Sequence, residues 1–276
     1  MTAVFGIVNV TRDSFSDGGH YFDPAAAIAH AEQLARDGAA VVDVGAESTH
    51  PDAADVTAEV EIERLRPVVS ALVRQGLQVS VDTRKAAVMA AMTALSVHWL
   101  NDVSGFRSEA AIEVAARSQA KLVVMFARQQ DGRARREGGG GDAVAEAMQF
   151  FAQRIAALQS AGVRRERIVL DPGMGFFLGP DPEVSFAMLR RLPELRSLAL
   201  PLLISVSRKS FLAAVSGRAP AERGAATLAA ELFAARKGVD WIRTHDVRAL
   251  CDGLAVQREL EPQRSFEGGC SPGYHQ

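Results

Sequence analysis

Apolar positions along the chain recur in two patterns, and the two alternate. Short runs without a polar face lie at 4–10, 40–45, 78–83, 98–103, 121–126, 167–173, 201–207 and 240–246. Each is too short for a helix and is bounded by turn residues, as expected of a strand buried on both faces. Between them, segments at 24–37, 57–75, 85–94, 109–118, 142–161, 182–197, 221–237 and 248–260 carry apolar residues at helical spacing. Eight strand-then-helix units in series demand parallel pairing through helical crossovers, and that number closes into an α/β fold, the (β/α)8 TIM barrel. An open doubly wound sheet is the other arrangement that this alternation permits.

Gly38, Gly76, Gly162 and Gly238 each stand just before a strand run, where a left-handed residue ends the preceding helix. Two segments fall outside the plan. Residues 127–141, ARQQDGRARREGGGG, form a long polar connection whose four consecutive glycines disfavour helix, and a flexible loop is expected. Residues 261–276 have the composition of a tail that frays. The barrel is therefore expected to occupy 1–260 as one domain.

Composition adds limits. The 276 residues are 48% apolar and 23% charged, an ordinary globular balance for one barrel. Net charge is −2 and the arginines are scattered, which lacks the electrostatic footprint of nucleic-acid binding and points to small-molecule partners. No run approaches the roughly 20 apolar residues of a membrane span, and the first residues lack a basic start and a cleavage site, so a cytoplasmic protein is expected. Cys251 and Cys270 are too few for a disulfide framework and are expected to be thiols.

The chemistry lies at the ends of the runs. Strands buried on both faces ought to stay apolar, yet these finish in Asn9, Asp43 with Glu47, Asp82, Asn101 with Asp102, Asp171, Ser207 with Arg208 and Lys209, and Arg243 with His245 and Asp246. In a barrel these ends converge on the C-terminal face, where active sites of the fold sit. The cup they line suits a ligand with two unlike ends. Asp82, Asn101 and Asp171 can pair with the edge of a nitrogen-rich planar ring. Lys209, Arg243 and His245 suit a phosphate or pyrophosphate. Asn9 and Asp82 offer oxygen to a hard cation such as Mg2+. Asp43 is expected to be a buried strand residue bonded to backbone, and Arg243 to meet ligand rather than Asp246. On residue types alone, a Schiff-base aldolase built on Lys209 also remains open.

Seven motifs in this order resemble dihydropteroate synthase: GIVNVTRDSFSDGG (6–19), VDVGAESTHPDA (42–53), SVDT (80–83), NDVSG (101–105), LDPGMGF (170–176), SVSRKSF (205–211) and IRTHDV (242–247). The resemblance runs from about Phe5 to Leu260. It implies a (β/α)8 barrel that joins 6-hydroxymethyl-7,8-dihydropterin pyrophosphate to 4-aminobenzoate and releases pyrophosphate, acting as a homodimer with Mg2+. By position it assigns Asp82, Asn101, Met125, Asp171 and Lys209 to the pterin. Asn9, Thr49, His50, Arg243 and His245 fall to the pyrophosphate, with Asn9 on the metal. Phe15, Thr49, His50, Pro51, Phe176, Phe177 and Ser210 would form the aminobenzoate pocket, closed by loops carrying Asp13, Ser14 and Ser48. The catalytic set would be Asp82, Asp171, Lys209, Arg243 and His245. A catalytically impaired pterin-binding homologue and a methyltetrahydrofolate-binding methyltransferase domain are the alternatives. The SRKS and RTHDV motifs argue against the second, because a methyl donor has no pyrophosphate to hold.

The sequence departs from the family pattern at four places. Members commonly have proline at the position of Arg12, arginine at that of His50 and histidine at that of Phe126. The sixth-strand loop reads GFFLG in place of glycine-phenylalanine-glycine-lysine. LDPGMGFFL, SVSRKSFL, TLAAEL and RTH are shared with the sulfonamide-resistant synthases, and the added ring, Phe177, is expected to exclude the bulkier drug by steric obstruction.

Overall fold

The computed structural model describes residues 2–10, 23–48, 55–129 and 140–260. Strands β1 (Ala3–Asn9), β2 (Val41–Gly45), β3 (Val79–Asp82), β4 (Trp99–Asp102), β5 (Lys121–Met125), β6 (Ile168–Asp171), β7 (Leu203–Ile204) and β8 (Trp241–Thr244) form one parallel sheet. Its order, β6-β5-β4-β3-β2-β1-β8-β7, brings the two edges together, and a parallel bridge between Leu170 and Leu202 joins them. The expected barrel is the one observed, and the open doubly wound sheet is not.

Helices α1 (Pro24–Arg36), α2 (Ala58–Arg74), α3 (Ala86–Thr93), α4 (Glu109–Arg117), α5 (Ala143–Ser160), α6 (Pro182–Leu195), α7 (Ala213–Ser216), α8 (Gly224–Arg236) and α9 (Val247–Leu260) surround it. Asp23, Thr57, Ser108, Asp142 and Asp181 begin five of them by accepting a backbone N–H in the first turn, which satisfies donors that have no partner inside a helix. Gly38, Gly76, Gly162 and Gly238 all have positive φ, as the cap pattern requires. The four-residue α7 and the 3-10 turn before it, Ser210–Leu212, have too little periodicity to be read from sequence. Strand β7 is shorter than its run, because after Ile204 the chain leaves the sheet for the loop that carries Lys209.

Strand periodicity decides what faces where. Val42, Val44, Val81, Leu100, Val124, Leu170 and Ile242 point outward and pack under the helices in the main core. The alternate positions point into the barrel. Their lower layer is apolar: Phe5, Val41, Trp99, Val123, Val169, Leu203 and Trp241. Three of these rings meet edge to face, Phe5 on Trp99 at 5.0 Å, Phe5 on Trp241 at 5.2 Å and Trp99 on Trp241 at 5.0 Å. They close the barrel floor, so the polar layer above opens only at the C-terminal mouth.

Candidate active site

That upper layer consists of the same inward positions one step further along each strand. Asp43, Asp82, Asn101, Asp171 and Arg243 project from β2, β3, β4, β6 and β8. Arg243 Nε donates to Asp43 Oδ2 at 2.5 Å and its Nη2 donates to Asp82 Oδ2 at 2.7 Å. Asn101 Nδ2 also donates to Asp43 Oδ2, at 3.3 Å. Asp43 is thus tied to side chains across the barrel, not to neighbouring backbone as its position in a buried run suggested, and Arg243 pairs with Asp43 and Asp82 rather than Asp246.

The pairing is incomplete. Asp43 Oδ1 and Asn101 Oδ1 are buried with no hydrogen-bond partner among the described residues. Buried acceptors of this kind are costly unless something donates to them, and a polar ligand edge could do so. Burial raises the Asp82 carboxyl to about 7 and Asp171 to about 6, against the pull of Arg243 and Lys209. Burial also holds Lys209 down to about 8, opposed by Asp171 and Asp82. Perturbation of several facing groups by desolvation is a mark of a functional site.

The loop after β6 explains its glycines. Gly173 N donates to Asp171 Oδ1 at 2.8 Å and lies at φ 66°, where an added Cβ would fall 2.2 Å from the Phe126 carbonyl oxygen. A close backbone approach therefore requires glycine there. The turn then delivers Phe176 and Phe177. Phe177 is buried with Val103, Met125 and Ala127, the Lys209 ammonium lies 4.5 Å from its ring centroid, and the half-buried Phe176 packs against this cluster. Ser210 borders the same turn beside Gly175. Phe126 points the other way, against Phe150 and Phe151 of α5. Its replacement of the family's histidine is thus a change in the outer core and not in the cup.

The loop after β7 is held from below by α8. Arg208 adopts φ 58°, a left-handed conformation that disfavours side chains. Arg223 Nη1 donates to the Arg208 carbonyl at 2.8 Å and the Lys209 carbonyl at 3.3 Å, while Arg208 N donates to Thr227 Oγ1 at 3.1 Å. His245 sits beside Ser207, with Nδ1 2.8 Å from Ser207 Oγ. Burial, with Arg208, Arg243 and Lys209 nearby, depresses His245 to about 3, so its imidazole is neutral near pH 7.

A second cluster braces the β2 loop. Lys85 Nζ lies 2.7 Å from both Glu47 Oε2 and the fully buried Glu61 Oε2, and Arg84 Nη2 is 3.4 Å from Glu47 Oε1. Asn9 ends β1 in an exposed position at the mouth. Arg12, Asp13, Ser14, Phe15, Thr49, His50 and Pro51 lie outside the described residues, as do 130–139 and 261–276. Among the described residues, no group of three or more His, Cys, Asp or Glu side chains is arranged to hold a metal, and no helix is long and apolar enough to cross a membrane.

Known proteins match throughout this arrangement. A family model described as "Pterin binding enzyme" matches residues 5–245. The dihydropteroate synthase type-2 of Escherichia coli is 54% identical over 260 residues, covering 94% of this chain and 96% of its own. The Xanthomonas albilineans dihydropteroate synthase with 4-aminobenzoic acid superposes with a TM-score of 0.88 at 38% identity, covering 95% of this chain and 94% of that one. The same enzyme in complex with 7,8-dihydropteroate superposes at 0.84 with 37% identity and the same coverage.

Proposed function

The chain belongs to the pterin binding enzyme family, and on that basis we propose that it is a dihydropteroate synthase, a transferase joining 6-hydroxymethyl-7,8-dihydropterin pyrophosphate to 4-aminobenzoate with release of pyrophosphate. The observation that carries this reading is the inward layer of Asp43, Asp82, Asn101 and Arg243 with Asp171, closed beneath by three aromatic rings. A pterin lowered edge-first would supply N–H donors to Asp171, Asp82 and the unpartnered oxygens of Asp43 and Asn101. Phe177 and Met125 offer it an apolar wall, and Lys209 stands over that wall with a positive charge.

The reaction is a dissociative substitution at the exocyclic carbon. As the C–O bond breaks, positive charge spreads into the pterin, where the carboxylates of Asp82 and Asp171 favour it. Negative charge develops on the leaving pyrophosphate at the mouth, where His245 and Arg243 can meet it. The arylamine of 4-aminobenzoate attacks directly, so no protein nucleophile is needed, and Phe176 and Ser210 border its approach. Thr49, His50, Pro51 and Phe15 complete this outer region in the proposal.

Asn9 is the protein oxygen that would meet Mg2+. One exposed amide at the mouth fits a magnesium ion held mainly by phosphate oxygens and water, the usual arrangement for this ion. Bound there, it would neutralise charge on the leaving group. We further propose a cytoplasmic homodimer with small-molecule substrates only, and insensitivity to sulfonamides through the ring pair Phe176–Phe177.

The test is pyrophosphate release by the purified protein given pterin pyrophosphate, 4-aminobenzoate and Mg2+. Release coupled to dihydropteroate formation is expected. No product above background would leave a pterin-binding protein without turnover.

A further inference from the structure

We propose that Glu231 is a positioning residue: acting through Thr244 and Ser207, it fixes His245 in the tautomer that carries its proton on Nε2, so the imidazole presents a donor to the anionic end of the substrate. The assignment follows from counting donors and acceptors along a buried chain of hydroxyls. Ser207 Oγ accepts the backbone N–H of His245 at 3.2 Å and the hydroxyl of Thr244 at 3.5 Å. A hydroxyl has two acceptor sites and one proton, so that proton is what remains for His245 Nδ1 at 2.8 Å. Nδ1 therefore accepts, and the ring proton belongs on Nε2.

The same accounting extends inward. Thr244 Oγ1 accepts the Asp246 N–H at 3.3 Å and has one proton to give. The Glu231 carboxyl lies against that hydroxyl. An ionised Glu231 would claim the Thr244 proton. A neutral one donates its own and leaves the Thr244 proton pointed at Ser207. Glu231 is 1% exposed and its Oε1 has no partner. Burial pushes it up to about 8, against the opposing hydrogen bond with Thr244 and with Asp246 adding to the rise, so the acid is neutral where the chain must be oriented. With Glu231 neutral, both hydroxyls use every donor and acceptor they have.

The tautomer matters because His245 is neutral in the free protein and so has a single N–H. Glu231 lies one turn beyond Thr227 on α8, and Thr227 with Arg223, the residue just before that helix, holds the Lys209 loop. One helix face thus orients both the lysine and the histidine. The consequence for pyrophosphate rests on the function proposed above, whereas the tautomer is a property of the free protein.

The experiment is nitrogen-15 NMR of the histidine rings in the intact protein, with His245 identified by its loss in His245→Asn. The expected signature is a protonated Nε2 and a bare Nδ1 from pH 6 to 7.5. A protonated Nδ1 in the unsubstituted protein would overturn the proposal. Ser207→Ala and Glu231→Leu are expected to give mixed tautomers and to weaken Mg2+-pyrophosphate binding about tenfold, the scale of one charge-assisted hydrogen bond. Glu231→Gln, whose amide still donates to Thr244, is expected to keep the Nε2 signature. If Ser207→Ala folds and leaves the ring signature unchanged, the proposal fails. If the signature is as expected but the unsubstituted protein binds no pyrophosphate, the functional reading fails and the tautomer assignment stands.

Discussion

Arg243 and Asp82 are joined by a 2.7 Å hydrogen bond across the top of the barrel, and the same guanidinium holds Asp43 at 2.5 Å. Two carboxylates so close would repel without it. Arg243→Ala should therefore lower stability by about 3–5 kcal/mol, the range for breaking a buried ion pair, and the melting temperature by about 10 °C. Pterin binding should fall with it. Arg243→Lys restores the charge but not the fork that reaches both partners, and should give intermediate stability with weak binding. Thermal denaturation and calorimetric titration with a pterin measure the two effects separately.

Asp171 at about 6, Asp82 at about 7 and Lys209 at about 8 set the pH dependence of the free protein. Catalysis as proposed requires ionised carboxylates and a charged lysine. The specificity constant should rise through pH 6–7 and fall above about 8, a bell whose limbs belong to the coupled cluster. Stability runs the other way for the acids. Asp171 is raised above its ordinary 3.8, so its contribution is fully present below that value and is lost as pH passes about 6. A profile flat from pH 5 to 9 would contradict the required ionisations.

Lys85 should matter to folding more than to chemistry. Its ammonium compensates the fully buried Glu61 and also Glu47, and α3 gains no side-chain cap from it. Lys85→Ala strands the buried carboxylate, and a loss of about 3–5 kcal/mol in denaturant unfolding is expected. Lys85→Ala with Glu61→Gln removes both charges and should recover most of that loss.

Asp82, Asn101 and Asp171 were legible in the sequence because each interrupts an apolar run at its end, where the fold itself predicts a site. Asp43 was flagged in the same way, but its pairing was not legible, since its partner Arg243 is 200 residues away. Only the parallel register brings them to one layer. Arg223, Thr227 and Glu231 carry a visible four-residue spacing, but on a mixed helix that spacing does not say which face turns inward. The family departure at Phe126 does not by itself say whether the residue faces the cup; strand alternation decides it and turns the ring toward α5.

The ring of Phe177 is buried behind Phe176 and under the Lys209 ammonium, so it shapes the pocket from behind. Phe177→Leu keeps most of the volume while removing the flat ring. If that ring excludes sulfonamides, the variant's inhibition constant for the drug should drop about tenfold relative to the KM for 4-aminobenzoate. Competitive inhibition in the pyrophosphate-release assay gives the ratio, and an unchanged ratio would remove Phe177 as the specificity determinant.

Arg208 is held in a left-handed conformation by Arg223 and Thr227, and Lys209 follows it directly. A non-glycine residue there costs roughly 1–2 kcal/mol, which the two hydrogen bonds offset. Arg223→Ala removes the bonds to the Arg208 and Lys209 carbonyls at once, together with one to the Arg218 carbonyl. The loop should then relax and Lys209 lose its place over Phe177, with a drop in kcat/KM of about 10- to 100-fold, the sensitivity expected of a displaced catalytic group. Arg208→Gly in the same background removes the reason to relax, because glycine adopts this φ freely. The double variant should therefore recover activity toward the Arg208→Gly single variant. If instead the losses simply add, the Arg223 contribution is packing at the start of α8 and not control of the lysine loop.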